Sequence, residues 1–261
     1  MSLKICVLGS GSSGNCTFIS STTTALLVDA GISALRIEKC LKALNQQPDN
    51  LAVLITHSHH DHISGVETLC RRHPSIEVYC HQSCFDSVRK KLTSAINIIA
   101  VEGDFFVGDI TVSPFKVSHD VPCVGYSFLS GGSRITLATD TGKLNNKMIE
   151  ALSDSDLVVL ESNHDEALVR QNPNYSAFLK SRILSDCGHL SNTACAECVA
   201  RIASCRVKQV VLAHLSKENN YPELAFETCK NRLLEENIVE GRDVMLEVAQ
   251  ADKMSSLFEI E

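Results

Sequence analysis

The 261-residue sequence predicts an αβ fold in which layered β-sheets are flanked by helices. Two observations lead to this prediction. Short apolar runs of strand length alternate with amphipathic segments of helix length, and both halves of the chain contain stretches rich in β-signals. No linker, repeat or low-complexity stretch divides the chain. Length alone predicts roughly 1.7 domains, and we expect one domain over residues 1–261.

The first half of the chain alternates between the two kinds of segment. The apolar runs predicted to be strands are Leu3–Leu8, Thr17–Ile19, Ala25–Asp29, Ala52–Thr56 and Glu77–Cys80. The segments with helical spacing of apolar residues are Ser33–Leu44, Ser64–Arg72 and Ser83–Leu92. This order is typical of strands that are joined by helical crossovers.

The second half begins with a β-rich stretch and ends with alternating helices and strands. The predicted strands are Phe105–Val107, Thr111–Val117, Val124–Leu129, Arg134–Thr139, Leu157–Glu161, Gln209–Ala213 and Met245–Ala249. A Gly131-Gly132 pair predicts a hairpin between the third and the fourth of these strands. The predicted helices are Asn145–Leu152, Tyr175–Leu184, Thr193–Ser204 and Glu223–Glu235.

Composition excludes several classes of protein. Acidic residues outnumber basic ones by 31 to 24, so the chain lacks the general basic surface of a protein that coats nucleic acid. The N-terminus does not read as a signal peptide and no apolar run approaches ~18 residues, so we expect a cytoplasmic protein without a membrane span. The 12 cysteines are then reduced, and we interpret them as small buried hydrophobes. The pair Cys195 and Cys198 lies inside a predicted helix, where a metal role is disfavoured.

The most informative segment follows a predicted apolar strand. Its sequence, His57-Ser-His59-His60-Asp61-His62, places four histidines and one aspartate within six residues. Neutral imidazole and carboxylate are ligands for Zn²⁺, Mn²⁺ and Fe²⁺. In an extended chain His57 and His59 fall on one face, while Asp61 and His62 turn with the chain and can face a second ion. The alternative is a solvated loop, but four of the ten histidines in one strand-to-helix junction argue against it.

Three later residues fit the same pattern. His119, Asp140 and His214 each end an apolar run, where a strand delivers a side chain to the edge of a sheet. Each of them alone is more typical of a cap or a turn. Together with the first cluster they provide seven ligands, which is enough for two ions.

The ordered set His-x-His-x-Asp-His, followed by a histidine, an aspartate and a histidine at strand ends, resembles the metallo-β-lactamase superfamily. The resemblance spans most of the chain and implies an αββα sandwich, two mixed β-sheets flanked by helices, with two divalent ions at one edge. It implies that metal 1 is bound by His57, His59 and His119, that metal 2 is bound by Asp61, His62 and His214, and that Asp140 bridges them. Asp29 matches an early strand-end aspartate that supports the site without ligating it, and His60 is the spacer of the motif.

Such a site can activate water for several reactions. Two ions roughly 3.5–4 Å apart lower the pKa of a shared water towards ~7 and present it as hydroxide. Asp61 would orient that hydroxide while it binds metal 2. Lactams, thioesters, lactones and phosphodiesters are all cleaved by this chemistry, so the fold does not choose the substrate. The metal can be Zn²⁺, Mn²⁺ or Fe²⁺, since selectivity depends partly on availability.

Glu161 and His189 favour a phosphodiester substrate. Attack on a phosphodiester expels an alkoxide, which needs a proton donor. Glu161 at a strand end and His189 in a Gly-His-Leu-Ser string resemble the signatures of tRNase Z and related nucleases, in which a histidine oriented by a glutamate faces the leaving group. Leu190 interrupts the usual pattern, and a cap near the next helix is the alternative for His189. His164 receives no role.

The loop Gly9-Ser-Gly-Ser-Ser-Gly-Asn15 has the glycine spacing of a dinucleotide fingerprint. That motif requires a helix next and an acidic residue ~20 positions later. A predicted strand follows instead, and Asp29 belongs to the metal motif, so we expect no dinucleotide cofactor. The open alternatives are a hairpin turn and a phosphate-binding loop near the metals. The polar residues of such a phosphate loop would be Ser10, Ser12, Ser13 and Asn15.

This loop string and Leu160-Glu-Ser-Asn-His-Asp165 closely resemble the YycJ (WalJ) group of the superfamily. That resemblance implies a metal-dependent 5′→3′ exonuclease that acts on DNA and is linked to bacterial genome maintenance and DNA repair. Three alternatives stay open. They are an RNA-processing nuclease of the tRNase Z type, a thioester or lactone hydrolase of the glyoxalase II type, and a metal-bound protein without turnover.

The sequence also departs from larger nucleases. Only 73 residues separate Asp140 from His214, too few for the inserted domain of β-CASP nucleases, and no long Gly/Pro-rich arm is evident. The compact domain itself must therefore bind the nucleic acid. The acidic net charge of −7 weakens phosphate contacts, although two divalent ions would add about four positive charges at the scissile phosphate. Arg71-Arg72 and Arg89-Lys90-Lys91 can form a local patch, but solvated helix faces are the more usual explanation. The oligomeric state cannot be read from this sequence.

Overall fold

Two seven-stranded sheets, each built mainly from one half of the chain, form the fold in the computed structural model, which describes residues 2–93 and 95–260. The strands are β1 Leu3–Gly9, β2 Cys16–Ser20, β3 Ala25–Val28, β4 Leu51–Ile55, β5 Glu77–His81, β6 Ile98–Val101, β7 Phe105–Val107, β8 Ile110–Lys116, β9 Val124–Ser130, β10 Ser133–Ala138, β11 Leu157–Glu161, β12 Gln209–Ala213, β13 Met245–Val248 and β14 Phe258–Ile260. The helices are α1 Ala34–Ala43, α2 His60–Ile63, α3 Val66–Arg72, α4 Gln82–Arg89, α5 Asn146–Ser153, α6 Glu166–Gln171, α7 Ala177–Ile183, α8 Asn192–Ala203 and α9 Pro222–Glu235.

The two sheets repeat the same plan. The first has the strand order β14-β1-β2-β3-β4-β5-β6 and the second has the order β13-β12-β11-β10-β9-β8-β7. In each sheet an antiparallel meander, β1 to β3 or β7 to β10, is followed by parallel strands that are joined by helical crossovers. The last strand, β14, returns to the first sheet and pairs antiparallel with β1. This order brings the carboxyl ends of β3, β4, β8, β10, β11 and β12 to loops that can share one edge.

Both faces of the central strands are covered. Every residue of β4 and of β11 is buried, the pattern of a strand with packing on both sides. The core between the sheets contains Phe18 of β2 and Tyr126 and Phe128 of β9, and it continues to residues of α1, α3 and α4. A second apolar cluster packs α5, α8 and α9 on the other face of the second sheet. The predicted αββα sandwich is therefore confirmed.

The sequence located most elements to within one or two residues. The hairpin at the Gly131-Gly132 pair is confirmed by the pairing of Ser130 with Ser133. The loop of residues 10–15 joins antiparallel strands, as a hairpin connection does. The helix predicted from Tyr175 begins at Ala177, because the Ser176 hydroxyl accepts a hydrogen bond from Leu179 N and caps it. Strands β6 and β14 and helices α2 and α6 were not predicted as separate elements.

The structure also places the cysteines and the two basic runs. Nine of the 12 cysteines are buried, and Cys195 and Cys198 pack in the apolar cluster under α8. In the two basic runs, Arg72 pairs with Glu38 and Arg89 donates to main-chain carbonyls, and a local patch formed by these runs stays a prediction. Within residues 2–93 and 95–260, none of the helices is long and apolar enough to cross a membrane.

Three loops contact each other through their backbones beside Gly31. Gly31 N donates to Asn15 O at 2.8 Å, Asn15 N donates to Asp61 O at 2.8 Å, and Ala30 N donates to His62 O at 2.9 Å. A Cβ atom at Gly31 would overlap the carbonyl oxygen of Asp61. Only glycine therefore allows the segment after β3 to approach the Asp61-His62 turn this closely.

We predict that Gly31→Ala displaces the Asp61-His62 turn. Overpacking of this kind lowers the free energy of unfolding by about 1–3 kcal/mol, and the displaced turn should also lower metal uptake. Urea denaturation and metal analysis by mass spectrometry measure the two effects. The control is Gly241→Ala, which meets no atom within 4 Å but has φ +83°. It should cost about 1–2 kcal/mol and leave metal uptake unchanged. Normal metal uptake by Gly31→Ala would contradict the steric argument.

Candidate metal centre

The predicted ligands lie at the ends of strands from both sheets. His57 and His59 follow β4 in the first sheet. His119 follows β8, Asp140 follows β10 and His214 follows β12, all in the second sheet. The strands β8 and β10 run in the same direction, because each is antiparallel to β9. Their ends therefore deliver side chains to the same edge, and the ligands from the two sheets meet there.

Three residues at this edge adopt a left-handed backbone. Asp29, Asp140 and His214 have φ of 60°, 57° and 58°. The other non-glycine residues with positive φ in the described chain are Asn45 and Asn237, directly after the C-caps of α1 and α9, where this conformation is ordinary. L-residues adopt it rarely, and at strand ends such strain concentrates at functional sites. The conformation turns the chain sharply at the last position of each strand.

Three histidines form the first group of donors. His57, His59 and His119 each offer a ring nitrogen, and these atoms lie within 4.8 Å of one another. His59 Nδ1 is 3.2 Å from His119 Nε2. Burial, followed by the nearby His62, lowers the pKa of His57, and burial followed by His119 lowers the pKa of His59. Both shifts favour the neutral imidazole that binds a metal.

Asp61, His62 and His214 form a second group within the same distance limit. Asp140 lies between the groups, with Oδ2 at 3.3 Å from His62 Nε2 and Oδ1 at 3.5 Å from His214 Nε2. Its Oδ1 is also 3.9 Å from the Nε2 atom of His119 in the first group. The structure thus brings all seven predicted ligands together, with Asp140 in the position expected of a bridge.

The second nitrogen of each histidine has a partner outside the cluster. The five pairs are His57 Nδ1 with Thr56 Oγ1 at 3.0 Å, His59 Nε2 with Asp120 Oδ1 at 3.4 Å, His62 Nδ1 with Asp29 Oδ2 at 2.7 Å, His119 Nδ1 with Gly188 O at 3.2 Å and His214 Nδ1 with Glu161 Oε1 at 2.8 Å. Such partners fix the tautomer and the ring orientation of histidines that bind metals. The opposite nitrogen of each ring faces the centre, where His62 Nε2 also lies 3.0 Å from Asn15 Nδ2 and His119 Nε2 lies 3.3 Å from Asp120 Oδ1.

Asp29 contacts the residues of the centre that come from the first sheet. Besides His62, its carboxylate accepts hydrogen bonds from Thr56 N and Thr56 Oγ1, both at 2.8 Å. The Thr56 hydroxyl proton is thereby used, so its oxygen accepts from His57 Nδ1. One buried carboxylate therefore orients a ligand of each group, in keeping with the supporting role expected for it.

Several donor atoms have no hydrogen-bond partner within residues 2–93 and 95–260. They include His57 Nε2, Asp140 Oδ2 and His214 Nε2, all of them buried. Leaving a buried polar atom unpaired costs about 1–3 kcal/mol, and cations bound by the two groups of donors would remove that cost. The mixed imidazole and carboxylate donors suit Zn²⁺, Mn²⁺ or Fe²⁺. The residues present therefore fit divalent metal ions.

Glu161 joins the centre to His189. Its Oε1 accepts hydrogen bonds from His214 Nδ1 and from His189 Nδ1, each at 2.8 Å, and its Oε2 accepts from Thr141 N and Leu190 N. Burial alone would raise the pKa of Glu161, but His189 and His214 lower it to about 2. Burial opposes protonation of His189, yet the Glu161 carboxylate raises the pKa of the imidazole overall. His189 is thus held as a protonatable group, 3.8 Å from Asp140.

The loop of residues 10–15 borders the same edge. Ser10 Oγ accepts a hydrogen bond from His214 N at 2.7 Å. Asn15 Nδ2 lies 3.2 Å from Asp61 Oδ2 and 3.0 Å from His62 Nε2. These two side chains are therefore engaged with the centre, whereas Ser12 and Ser13 are exposed at the tip of the loop. A phosphate-binding role of this loop stays a prediction.

Other residues near the centre were not assigned from sequence. His164 is buried, its carbonyl accepts from Asn192 N, and burial lowers its pKa to about 4. His60, the expected spacer, is exposed. Asp120 was missed, although it directly follows His119, and it also lies 3.6 Å from the Arg182 guanidinium of α7. Its contact with His119 could have been suspected from the Ser-His-Asp string, whereas its contact with His59 is a tertiary contact that no local pattern indicates.

Comparison with known proteins agrees with this geometry. The model of a family described as a beta-lactamase superfamily domain matches residues 24–215. The chain is 37% identical over 265 residues to exodeoxyribonuclease WalJ of Streptococcus pneumoniae, covering 98% of each chain. It is 35% identical over 231 residues to exodeoxyribonuclease YycJ of Bacillus anthracis, covering 86% of this chain and 87% of that one. The crystal structure of the metallo-β-lactamase fold protein YhfI from Bacillus subtilis shares the fold, with a TM-score of 0.74 at 17% identity over 99% of this chain and 100% of that one.

We predict that the protein takes up two divalent ions per chain and that they stabilise it. A ligand at about 1,000 times its Kd contributes about 4 kcal/mol, which for a chain of this size raises the melting temperature by roughly 10 °C. Calorimetry of protein stripped with a chelator, before and after addition of Mn²⁺, measures the shift. His57→Ala should abolish most of it. His73→Ala, which removes a histidine paired with Glu38 on the surface, should retain it. A melting temperature that does not respond to Mn²⁺ or Zn²⁺ would contradict the prediction.

A second prediction concerns the carboxylate that orients two ligands. Asp29→Asn keeps the size of the side chain but weakens its bonds to His62 and Thr56, so metal affinity should fall about 10- to 100-fold. Competition with a chromophoric chelator measures the affinity. The matched control is Asp109→Asn, because Asp109 also accepts several hydroxyl hydrogen bonds but lies in the β7–β8 turn, beside the start of β3. Equal metal affinities for the two variants would show that Asp29 has no special role.

Proposed function

The chain belongs to the β-lactamase superfamily, in the group of relatives that includes the exodeoxyribonucleases WalJ and YycJ, and we propose that it is a metal-dependent 5′→3′ DNA exonuclease. The similarity to WalJ extends along nearly the full length of both chains. A shared superfamily alone would leave lactams, thioesters and phosphodiesters open. The geometry of the site favours one of these three substrates.

The hydrogen bond between Glu161 and His189 favours a phosphodiester substrate. A phosphodiester releases an alkoxide, which is a poor leaving group until it is protonated. A thioester releases a thiolate, which needs little protonation. The buried Glu161 carboxylate holds the His189 imidazole 3.8 Å from Asp140, the expected bridging ligand. A proton donor at this place assists cleavage of a phosphodiester and contributes little to cleavage of a thioester. The bond to Glu161 uses His189 Nδ1, and within residues 2–93 and 95–260 no hydrogen bond involves His189 Nε2, so this nitrogen is free to donate a proton.

Asp61, His189 and Glu161 each have a separate role in the proposed reaction. Two divalent ions, when bound, would supply a water of lowered pKa and positive charge against the scissile phosphate. Asp61, at 3.6 Å from His214 Nε2 and within reach of the Asn15 amide, accepts a hydrogen bond from the attacking water and orients it. His189 Nε2 donates its proton to the departing oxygen. Glu161 raises the pKa of His189, which favours its protonated form, and it fixes His214 at the same time.

The acidic net charge of the chain is compatible with this function. Two of the acidic residues counted in the charge of −7 are Asp61 and Asp140, which would lie against cations. Electrostatic attraction of the substrate is then local to the edge that carries the centre. The same edge must bind the strand, because the chain between Asp140 and His214 contains only 73 residues.

The experiment that tests the proposal offers three substrates to the Mn²⁺-loaded protein. They are a 5′-phosphorylated single-stranded DNA, an RNA of the same sequence and the thioester S-lactoylglutathione. The expected result is stepwise release of mononucleotides from the 5′ end of the DNA, and a 3′ fluorescent label reveals that polarity. Thioester turnover without nuclease activity would overturn the proposal. A preference for the RNA would favour the tRNase Z alternative, and release from the 3′ end would overturn the polarity.

We predict that His189→Ala lowers the rate of DNA cleavage by ~10²-fold or more, the effect of losing a general acid. The same variant supplies its own control on the p-nitrophenyl ester of thymidine 5′-monophosphate, because p-nitrophenolate leaves without a proton. On that ester the loss should be a few-fold only. Single-turnover rates measured on both substrates provide the comparison. Equal losses on the two substrates, or an unchanged rate on DNA, would remove His189 from the role of proton donor.

A further inference from the structure

A groove lies beside the loop of residues 10–15, on the side of the centre that contains His214. Its walls come from that loop, from the segment after β12, from the start of α9 and from the segment after β13. The groove borders the centre directly, because Ser10 lines it and accepts the hydrogen bond from His214 N at 2.7 Å. Leu215 and Ser216, which continue the chain from His214, also line it.

Tyr221 presents an aromatic ring in this groove. The residue is 51% exposed, unlike the aromatic residues of the core. Its backbone is nevertheless fixed, since Tyr221 N donates to Asn220 Oδ1 at 3.0 Å. The buried Asn220 amide in turn donates to Ser162 O at 2.9 Å and to Asn163 O at 3.0 Å, just after β11. An aromatic side chain on an anchored backbone binds a flat partner with little loss of conformational freedom.

The charges in the groove argue against a phosphate as its occupant. Lys217 and Asp252 both line it and both are exposed, so their charges offset each other. The remaining exposed polar groups are neutral, the hydroxyls of Ser12 and Ser13 and the amide of Gln250. A nucleobase matches this combination, because its face stacks on an aromatic ring and its edge accepts and donates hydrogen bonds.

We propose that this groove is a subsite for one nucleobase of the DNA strand, stacked on the Tyr221 ring, next to the scissile phosphate. The inference rests on the nuclease function proposed above and adds a site that the metal-centred chemistry does not require. Stacking is tolerant of sequence, because every base has a π-face. The subsite thus lets an acidic protein bind a single strand without a basic surface.

Binding of DNA with and without one base tests the subsite. The probe is a fluorescent 5′-phosphorylated single-stranded DNA of ten nucleotides, measured by anisotropy in the presence of Mn²⁺ with protein that carries Asp61→Ala to prevent cleavage. In that background Tyr221→Ala should weaken binding about 5- to 100-fold, the range for loss of one stacked base. Tyr221→Phe retains the ring and should bind within about twofold of the parent. Phe106→Ala, which removes an exposed aromatic from β7 at the opposite edge of the second sheet, should have no effect.

A scan with abasic nucleotides locates the stacked base. Removing the base at one position near the 5′ end should weaken binding to the parent protein and should not weaken binding to Tyr221→Ala any further. Equal penalties in the two proteins at every position, or unchanged affinity in Tyr221→Ala, would overturn the subsite. The protein with Asp61 intact is assayed on the same DNA. If it cleaves the DNA while Tyr221→Ala binds normally, only the subsite is wrong, and if it does not cleave, the proposed function fails as well.

Discussion

Side chains from two different sheets must reach one point, and the rest of the edge is organised around that requirement. Side chains of a β-strand point alternately to the two faces of the sheet, so a side chain at a strand end reaches a shared edge only where the backbone turns. Asp29, Asp140 and His214 make this turn with a left-handed backbone that L-residues adopt rarely. The strain is tolerated because each residue is held by further bonds, such as Ser10 Oγ to His214 N. The sandwich therefore supplies rigid strands, and the strained residues convert them into a convergent site.

The charges at this point can be buried only because they are paired. Asp29, Asp140 and Glu161 are almost completely inaccessible, and an isolated buried carboxylate is costly. Each of them lies beside one or more imidazoles, and in the absence of a cation Asp140 and Asp29 raise the pKa of His62 to about 10 against the opposing effect of burial. Bound metal ions would take over the neutralisation of these carboxylates and displace protons from His62 and His214. The fold and the metal thus stabilise the same arrangement of charges.

The convergence of the seven predicted ligands could be expected from the sequence, whereas most of the residues that contact them could not. His57, His59, Asp61 and His62 are close in sequence, and the later ligands end apolar runs that signal strands by themselves. The partners that orient them are defined by tertiary contacts. Gly188 O reaches His119 across 69 positions, and Glu161 serves His214 as well as His189, which no local pattern indicates. Strand β14 was missed for a similar reason, since three residues acquire strand character only by pairing with β1.

Glu161 links metal binding to proton donation in the proposed reaction. Its Oε1 atom accepts from a predicted metal ligand, His214, and from the predicted proton donor, His189, at equal distances. Neutralising this carboxylate would therefore disturb the cation and the proton donor together, so its effect cannot be assigned to either one alone. Different features of the site lie on the two sides of Glu161. The imidazole of His189 lies on one side, and on the other the chain leads through His214 and Ser10 to the groove that contains Tyr221. The proposed base subsite and the proposed proton donor are therefore both connected to His214, the first through Ser10 and the second through Glu161.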